Sequence, residues 1–343
     1  MPIASIELPD GPRAHGEPLL SGRIKQNPED FEVVEILGWT ASGDGEHDFL
    51  WIEKIGQNTA WVAAQLGRHA GVPTRDVGFS GLKDRHAVTR QWFSVRRPSG
   101  EGTDWAAFDV DGVTILDIQR HGKKLKRGVH RMNRFKITIR EARVDSEALN
   151  ERLTRISSMG FPNYFGPQRF GRGARNLDLA LALFDGRRMK RPQQSIALST
   201  ARSFLFNEVL AERIRLSSWN SGMPGDCFNL DGTNSVFVPE HLDEETTDRI
   251  ARMDIHPTGP LWGDGSQQCT DQARDLETRV LRAHAMWTDG LSAAGAKMAR
   301  RALRNQAVDL NATILGSDVV LEFSLVSGAY ATSLLNELGS FDE

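Results

Sequence analysis

The chain carries a run of four ionisable side chains, Lys-Asp-Arg-His at residues 83–86, shortly after the small residues Ser80 and Gly81. A glycine lets another backbone or a ligand approach closely, and the neighbouring cations favour the charged form of the Asp84 carboxylate. Such a carboxylate could act as a nucleophile, as a general base or as one half of a structural ion pair. The residue types alone leave these three alternatives open.

The composition around this segment is that of an ordinary globular protein. The chain has 343 residues, of which 39% are hydrophobic and 25% are charged. At about 150 residues per domain, this length predicts roughly two domains. The formal net charge of −3 gives no indication of a polyanionic partner, so any such indication must come from local clusters of charge.

The sequence also indicates a cellular compartment. Two cysteines, Cys227 and Cys269, do not make a disulfide framework, which favours a reducing environment. The first ten residues lack the basic and apolar regions of a secretory signal. Because no apolar run approaches the ~20 residues that cross a bilayer, we expect a soluble cytoplasmic protein without a membrane partner.

Positive charge is concentrated in three segments. Residues 120–136 contain eight lysines and arginines and no acid, and residues 187–191 form a second group. The third group has the spacing i, i+3, i+4 and i+7, which predicts one face of a helix: Lys297, Arg300, Arg301 and Arg304. One such run is typical of a solvated surface. Three of them in an acidic chain favour a phosphate-binding surface whose affinity depends on salt.

Two kinds of pattern divide the chain. Short β-branched and aromatic runs predict strands before about residue 140, at 31–36, 47–52, 91–95, 113–118 and 135–139. One helix interrupts them, between Asn58 and Gly71. Apolar residues at helical spacing then predict helices at 146–159, 177–184, 200–216 and 276–287, followed by a strand at 319–325 and a helix at 331–338.

A closing strand after a helical block often rejoins the first sheet, which predicts an α+β fold with an insertion in the middle of the chain. A zinc site is not expected, because Cys227, His241, His256 and Cys269 lack the close pairs of ligands that such sites use.

The segment Gly-Phe-Ser-Gly-Leu-Lys-Asp-Arg-His-Ala at residues 78–87 resembles the signature of the TruD family of tRNA pseudouridine synthases. Six further segments, in the order in which the family has them, are similar to its motifs: 27–33, 133–135, 163–171, 201–207, 259–263 and 328–332. The resemblance extends from about residue 23 to about residue 338 and therefore covers nearly the whole chain.

The resemblance implies a fold and an activity. The fold is α+β, with a mixed-sheet pseudouridine synthase catalytic domain formed from both chain ends, at 1–160 and 305–343, and an inserted α/β TRUD domain at 161–304. The activity is the isomerisation of the uridine at position 13 of tRNA to pseudouridine. We expect tRNA as the partner, no cofactor, no metal, no protein partner and a monomer.

By the same resemblance, Asp84 is the catalytic nucleophile. It would attack C6 of the base or C1′ of the ribose, or act while a proton leaves C2′, and the sequence does not choose among them. Lys25 would be the charge partner of the carboxylate. A uridine stacked in folded RNA must be extruded to reach such a group.

Four more residues are implied to bind the extruded base. Phe31 and Tyr330 would line or sandwich it, Asn133 would form a hydrogen bond to it, and Phe135 would pack nearby. Without the resemblance, the two phenylalanines are typical of strand cores and Asn133 of a turn. Tyr330 stands where we expect phenylalanine, and Ser80 stands where alanine is common in the family.

Two alternatives remain open. A non-catalytic tRNA-binding or RNA-folding protein could share the fold, although the presence of Asp84, Phe31 and Asn133 together favours the enzyme. The aromatic and glycine-rich block 163–171 could contact RNA through Gln168 and Arg169, but its composition favours a packed structural turn.

Overall fold

The computed structural model describes residues 11–97 and 102–342. Within these ranges the strands are β1 Leu20–Arg23, β2 Phe31–Ile36, β3 His47–Ile55, β4 Val77–Phe79, β5 Val88–Arg96, β6 Val113–His121, β7 Met132–Arg143, β8 Phe161–Pro162, β9 Phe228–Leu230, β10 Val236–Phe237, β11 Ile255–Leu261, β12 Ala299–Ala302, β13 Arg304–Asn305, β14 Val308–Leu315, β15 Asp318–Val326 and β16 Gly339–Asp342. The α-helices are α1 Thr59–His69, α2 Ser146–Met159, α3 Pro167–Phe170, α4 Arg175–Phe184, α5 Arg191–Arg215, α6 Glu244–Ala251, α7 Asp271–Arg282, α8 Ala285–Ala293 and α9 Ala331–Leu338.

These elements form two compact units. The sheet unit comprises Leu19–Leu153, Ala307–Gly328 and the residues from Gly339 onward, and the helical unit comprises Thr154–Gln306, Ala329–Leu338 and the residues up to Pro18. No helix in the described ranges is long and apolar enough to cross a membrane.

The sheet unit is built on one mixed sheet with the strand order β14-β15-β7-β2-β5-β3-β6. The central strand β2 pairs in parallel with β5 and antiparallel with β7. Strand β4 adds to β5, and β1 adds to β7 and β16. Strand β15 lies antiparallel to β7 from Val319 to Val326, which confirms that a strand near the end of the chain rejoins the first sheet.

The register of the central strands places several polar and aromatic residues on one face of the sheet. Glu35 lies opposite Asn133, and Val33 lies opposite Phe135. On the next strand, Phe323 lies opposite Phe135. Directly opposed residues point to the same side of a sheet, so this face carries both apolar packing and the polar residues of the candidate site.

The helical unit is organised around α5. Its buried positions include Phe204, Leu205, Phe206 and Leu210, which belong to a single apolar core. A four-stranded sheet with the order β10-β9-β11-β12 also belongs to this unit. Helix α5 begins nine residues before the predicted helix, and Pro192 lies in its first turn, where the missing N–H is tolerated.

The predicted basic helix face at 297–304 is wrong. Residues Ala299–Ala302 form β12, which pairs antiparallel with β11, and Arg304 and Asn305 form β13, which pairs with β8. Spacing at i, i+3 and i+4 indicates a helix only when the partners are local. Here the arginines form hydrogen bonds with buried acceptors far away in sequence. These tertiary contacts and the strand pairing, rather than the local spacing, decide the conformation.

Candidate active site

The loop between β4 and β5 carries Asp84, and hydrogen bonds anchor it to neighbouring elements. The main-chain N–H of Lys83 donates to Thr59 Oγ1 at 3.0 Å, and Thr59 lies in the first turn of α1. The Thr59 hydroxyl donates to Gln91 Oε1 at 2.9 Å, and Gln91 Nε2 donates to the carbonyl oxygen of Gly81 at 3.2 Å. A loop fixed to a helix and to a central strand holds its side chains in place without substrate.

The Asp84 carboxylate is held on one side and open on the other. Its Oδ1 accepts a hydrogen bond of 3.0 Å from the main-chain N–H of His86, a typical aspartate turn. Its Oδ2 lies 3.6 Å from Lys25 Nζ. Because 37% of the Asp84 side chain is exposed, the carboxylate keeps a face on which a ligand can approach.

Lys25 reaches this carboxylate from a strained backbone position. Its φ of +56° lies in the left-handed region, which costs a residue other than glycine about 1–2 kcal/mol. Its Nζ also lies 5.2 Å from the centroid of the Phe31 ring. Strain of this kind is concentrated at functional sites, where the surrounding structure maintains it.

Aromatic rings continue the site along the sheet. The Phe31 and Phe135 rings meet edge to face with their centroids 6.2 Å apart, and Phe135 stacks on Phe323 at 5.2 Å. Phe31 and Phe135 are each 8% exposed, so both belong partly to the core. The structure thus joins Lys25, Asp84, Phe31 and Phe135 in one series of contacts.

The other two predicted ligands, Asn133 and Tyr330, belong to different units. Asn133 lies on the same face of the sheet as Phe135, two residues earlier on β7. Tyr330 belongs to the helical unit, where its ring lies 6.0 Å from the Phe165 ring and its hydroxyl accepts a hydrogen bond of 3.0 Å from Arg169 Nη2.

The sequence did not indicate Lys54, which lies behind Asp84. Its side chain is fully buried on β3, and its Nζ donates to the main-chain carbonyl oxygen of Asp84 at 2.8 Å. Burial lowers the pKa of Lys54 to about 8, with the negative charge of Asp84 opposing the shift and Lys83 adding to it. The sequence pattern could have indicated this burial, because Lys54 occupies an inward position of β3 in alternation with Leu50 and Ile52.

A second missed residue is Glu35, the acidic centre of a buried cluster. Lys83 Nζ lies 3.1 Å from Glu35 Oε2, so this lysine faces Glu35, although Asp84 is its neighbour in sequence. Arg85 also turns away from Asp84 and donates to the carbonyl oxygen of Gly56 at 2.9 Å. The alternation of β2 places Glu35 inward with Phe31 and Val33, which could have indicated a buried charge.

The three basic segments have different environments. Most cations of 120–136 are exposed, and the main-chain N–H of Gly128 in this segment donates to the Ser80 carbonyl oxygen at 2.7 Å, close to the Asp84 loop. The cations of 187–191 are also exposed. In the third segment, Arg300 is buried against Glu277 and Arg304 is 3% exposed, which excludes these two from a phosphate-binding surface.

The block 163–171 packs inside the helical unit. Tyr164, Phe165 and Phe170 are buried, and Asn163 Oδ1 accepts a hydrogen bond of 2.6 Å from Asn305 Nδ2. The guanidinium carbon of Arg301 lies 4.2 Å from the Phe165 ring centroid. These contacts are those of a packed structural turn.

Comparison with known proteins supports one family. The family model described as tRNA pseudouridine synthase D (TruD) matches residues 14–187 and 175–338. The chain is 47% identical over 336 residues to tRNA pseudouridine synthase D of Methylococcus capsulatus, covering 97% of this chain and 95% of the relative. It is 46% identical to the protein of that name from Chromohalobacter salexigens, with 96% of each chain covered.

The chain belongs to the tRNA pseudouridine synthase D family. A crystal structure named for TruD, from Methanosarcina mazei, matches with a TM-score of 0.73 over 98% of this chain and 96% of the other, at 19% identity. That similarity supports the α+β fold. The TruD family consists of isomerases that act on uridine in tRNA. In the described ranges of this chain, no group of three or more His, Cys, Asp or Glu side chains is placed to hold a metal ion.

Proposed function

We propose that this TruD family member converts the uridine at position 13 of tRNA to pseudouridine, with Asp84 as the nucleophile. The observation that carries the proposal is the environment of Asp84. Its carboxylate is partly exposed, lies 3.6 Å from Lys25 Nζ and belongs to a loop held by hydrogen bonds to α1, β3 and β5. A preorganised carboxylate with an open face is suited to nucleophilic attack.

The reaction rearranges bonds without a change of oxidation state. The N1–C1′ bond breaks, the uracil turns over, a C5–C1′ bond forms, C5 loses its proton and N1 gains one. Asp84 would attack C6 or C1′, or act while a proton leaves C2′, and all three routes use the same exposed carboxylate face. The nearby Lys25 ammonium would stabilise the carboxylate whenever it leaves the substrate.

The aromatic residues would hold the extruded base. Extrusion costs a few kcal/mol, and stacking on an aromatic ring returns about 1–3 kcal/mol per base. Phe31, whose ring lies 5.2 Å from Lys25 Nζ, and Phe135, which meets Phe31 edge to face, would supply this stacking. The role proposed for Tyr330 rests on the family resemblance. Asn133 would form a hydrogen bond to the uracil edge.

Phosphate contacts would come from the exposed cations of 120–136, because the main-chain N–H of Gly128 in this segment bonds to the Asp84 loop.

We also infer the domain organisation expected from the sequence, with a catalytic domain at 1–160 and 305–343 and an inserted TRUD domain at 161–304. The enzyme is proposed to be cytoplasmic, monomeric and independent of cofactors.

The test is a tritium-release assay on bulk tRNA labelled at C5 of uridine. Wild type should release tritium, and mapping of the product should place pseudouridine at position 13. Asp84→Asn keeps an oxygen for the His86 N–H and removes the charge, so it should release none while tRNA affinity stays within a few-fold. Asp117→Asn, an exposed aspartate on β6, is the matched control and should behave as wild type.

The outcomes separate the alternatives. If wild-type protein binds tRNA but releases no tritium, the chain is a tRNA-binding protein of the same fold. If wild type is active and Asp84→Asn is equally active, the proposed role of Asp84 is wrong. If Asp84→Asn loses tRNA affinity as well as activity, the residue is structural.

A further inference from the structure

A buried chain of hydrogen bonds connects Glu35 to the base-binding candidate Asn133. The Ser80 hydroxyl contacts Glu35 Oε2 and lies 3.0 Å from His130 Nδ1. On the other side of the imidazole, Nε2 lies 3.2 Å from Asn133 Nδ2. Ser80 and His130 are 2% and 8% exposed, so exchange of these partners with water is restricted.

The number of protons in this chain fixes the direction of each hydrogen bond. The Glu35 carboxylate can only accept, and it also accepts from Lys83 Nζ and from the Trp92 main-chain N–H, both at 3.1 Å. The single proton of the Ser80 hydroxyl is therefore donated to Glu35. The Ser80 oxygen must then accept from His130, which places a proton on Nδ1.

The state of the second imidazole nitrogen follows from the surroundings of His130. Burial lowers the pKa of His130, the Lys83 ammonium lowers it further, and Glu35 opposes the shift. Lys83 lies on the Asp84 loop and Glu35 on β2. With Nδ1 protonated and the ring neutral, Nε2 carries a lone pair and accepts from Asn133 Nδ2.

The amide of Asn133 is thereby oriented. The oxygen and nitrogen of an asparagine amide have nearly the same shape, so hydrogen-bonding partners decide which way it turns. Because Nδ2 donates to His130, Oδ1 is directed away from the imidazole. This buried oxygen has no hydrogen-bonding partner among the described residues, and it is therefore available to accept from a ligand.

We propose that His130 is a positioning residue that holds Asn133 Oδ1 toward the target base and thereby selects uracil over cytosine. The proposal rests on the proposed function. Uracil presents an N3–H donor, which an amide oxygen accepts, whereas cytosine presents an unprotonated N3. An amide that could turn freely would fit either base, so the selectivity depends on the protonation state of His130 and not on Asn133 alone.

The first test measures the tautomer directly in wild-type protein, without any variant that must fold. Long-range ¹H–¹⁵N correlation spectra of the full-length chain labelled with ¹⁵N-histidine report which ring nitrogen carries the proton. We expect a neutral His130 with the proton on Nδ1 at pH 7.5. A proton on Nε2, or a doubly protonated ring, overturns the proposal.

The second test measures base selection. A transcript with cytidine at the target position competes with the uridine transcript, and the ratio of its Ki to the KM of the uridine transcript reports selectivity. We expect this ratio to be about tenfold in wild type and below about threefold in His130→Gln, whose side-chain amide can turn either way. His241→Gln, a change at an exposed histidine of the helical unit, should keep the wild-type ratio. An unchanged ratio in His130→Gln overturns the proposal.

The third readout is the pH profile of kcat/KM. Protonation of Nε2 at acid pH would turn the Asn133 amide and present its nitrogen to the base, so wild type should lose activity through a rise in KM as the pH falls below 6.5. His130→Gln should lack this acid limb. An acid limb that persists in His130→Gln contradicts the proposal, whereas an inactive wild type contradicts the proposed function and leaves the tautomer measurement unaffected.

Discussion

Both units bury pairs of opposite charge, Lys83 with Glu35 in the sheet unit among them, but the sheet unit also buries Lys54, whose charge is balanced in a different way. In the helical unit, Arg213 is 1% exposed and donates two hydrogen bonds, of 2.7 and 2.6 Å, to the carboxylate of the fully buried Asp226. Arg300 and Glu277 form a similar buried pair. In the sheet unit, the buried Lys54 ammonium contacts the main-chain carbonyl oxygen of Asp84 instead of a buried carboxylate.

The difference separates a structural role from a functional one. A paired guanidinium and carboxylate satisfy each other and fix the geometry of the surrounding core. Burial disfavours the charged form of Lys54, and this lowers its pKa to about 8 and makes its burial costly at neutral pH. Such a residue is tolerated where it supports a site, and Lys54 lies directly behind Asp84.

The largest effect should come from breaking a balanced pair. Asp226→Asn leaves the Arg213 guanidinium buried without its counter-charge, and we expect a loss of about 3–5 kcal/mol in the free energy of unfolding. Urea unfolding followed by tryptophan fluorescence measures this loss. Asp264→Asn, which breaks the exposed pair with Lys297, is the control and should leave the midpoint unchanged. A small effect of Asp226→Asn would mean that the pair is not structural.

The buried Lys54 should make the folding stability depend on pH. Because the pKa of Lys54 is lowered to about 8 in the folded chain from 10.5, the unfolded chain binds more protons between these values, and folding stability must rise with pH across that interval. We expect wild type to gain roughly 1–3 kcal/mol relative to Lys54→Met between pH 8 and 10. Parallel stability curves for the two proteins would show that the pKa of Lys54 is not lowered.

The aromatic face of the sheet unit should matter for activity more than for stability. Phe31→Leu removes a ring that would stack on the base, so kcat/KM for tRNA should fall about 10- to 100-fold. Phe49→Leu changes a fully buried phenylalanine of a separate core cluster in the same unit. It should lower the unfolding free energy and leave kcat/KM unchanged. Equal losses of activity in both variants would indicate a general packing effect.

The smallest effect should come from the exposed cations. Replacing Lys123, Lys124 and Lys126 with alanine should weaken tRNA binding by up to about tenfold and reduce the slope of log affinity against log salt. An unchanged slope would exclude this part of 120–136 from the RNA interface. Alanine at three exposed arginines outside the basic segments, Arg68, Arg252 and Arg282, is the control and should leave the slope unchanged.

The sequence predicted most elements of the fold because alternation and helical spacing are local signals. Strands β2, β3, β5, β6, β7 and β15 and helices α1, α2, α4 and α9 lie where the patterns predict them. The prediction of a helix at 297–304 was wrong because contacts with residues distant in sequence fix the positions of its arginines. Arg300 pairs with Glu277, and Arg304 donates to His256 Nδ1, so their spacing carried no information about a helix.

The site was predictable only in part, for the same reason. Asp84 stands in a recognisable local motif, and the resemblance indicated Lys25 next to it. Glu35 and Lys54 meet the Asp84 loop across 48 and 30 residues of chain, and no local pattern names such partners. A charged residue at an inward position of an alternating strand does indicate a buried polar cluster. It does not indicate which residues form the rest of that cluster.

The most direct test of the central claim is a single-turnover measurement with the Asp84→Asn protein in excess over tRNA labelled with tritium at C5 of uridine. We predict a rate at least ~10³-fold below wild type with an unchanged urea midpoint, because the substitution removes the nucleophile and keeps its hydrogen bond within the loop. Tritium release at the wild-type rate by the folded variant would contradict the assignment of Asp84 as the nucleophile.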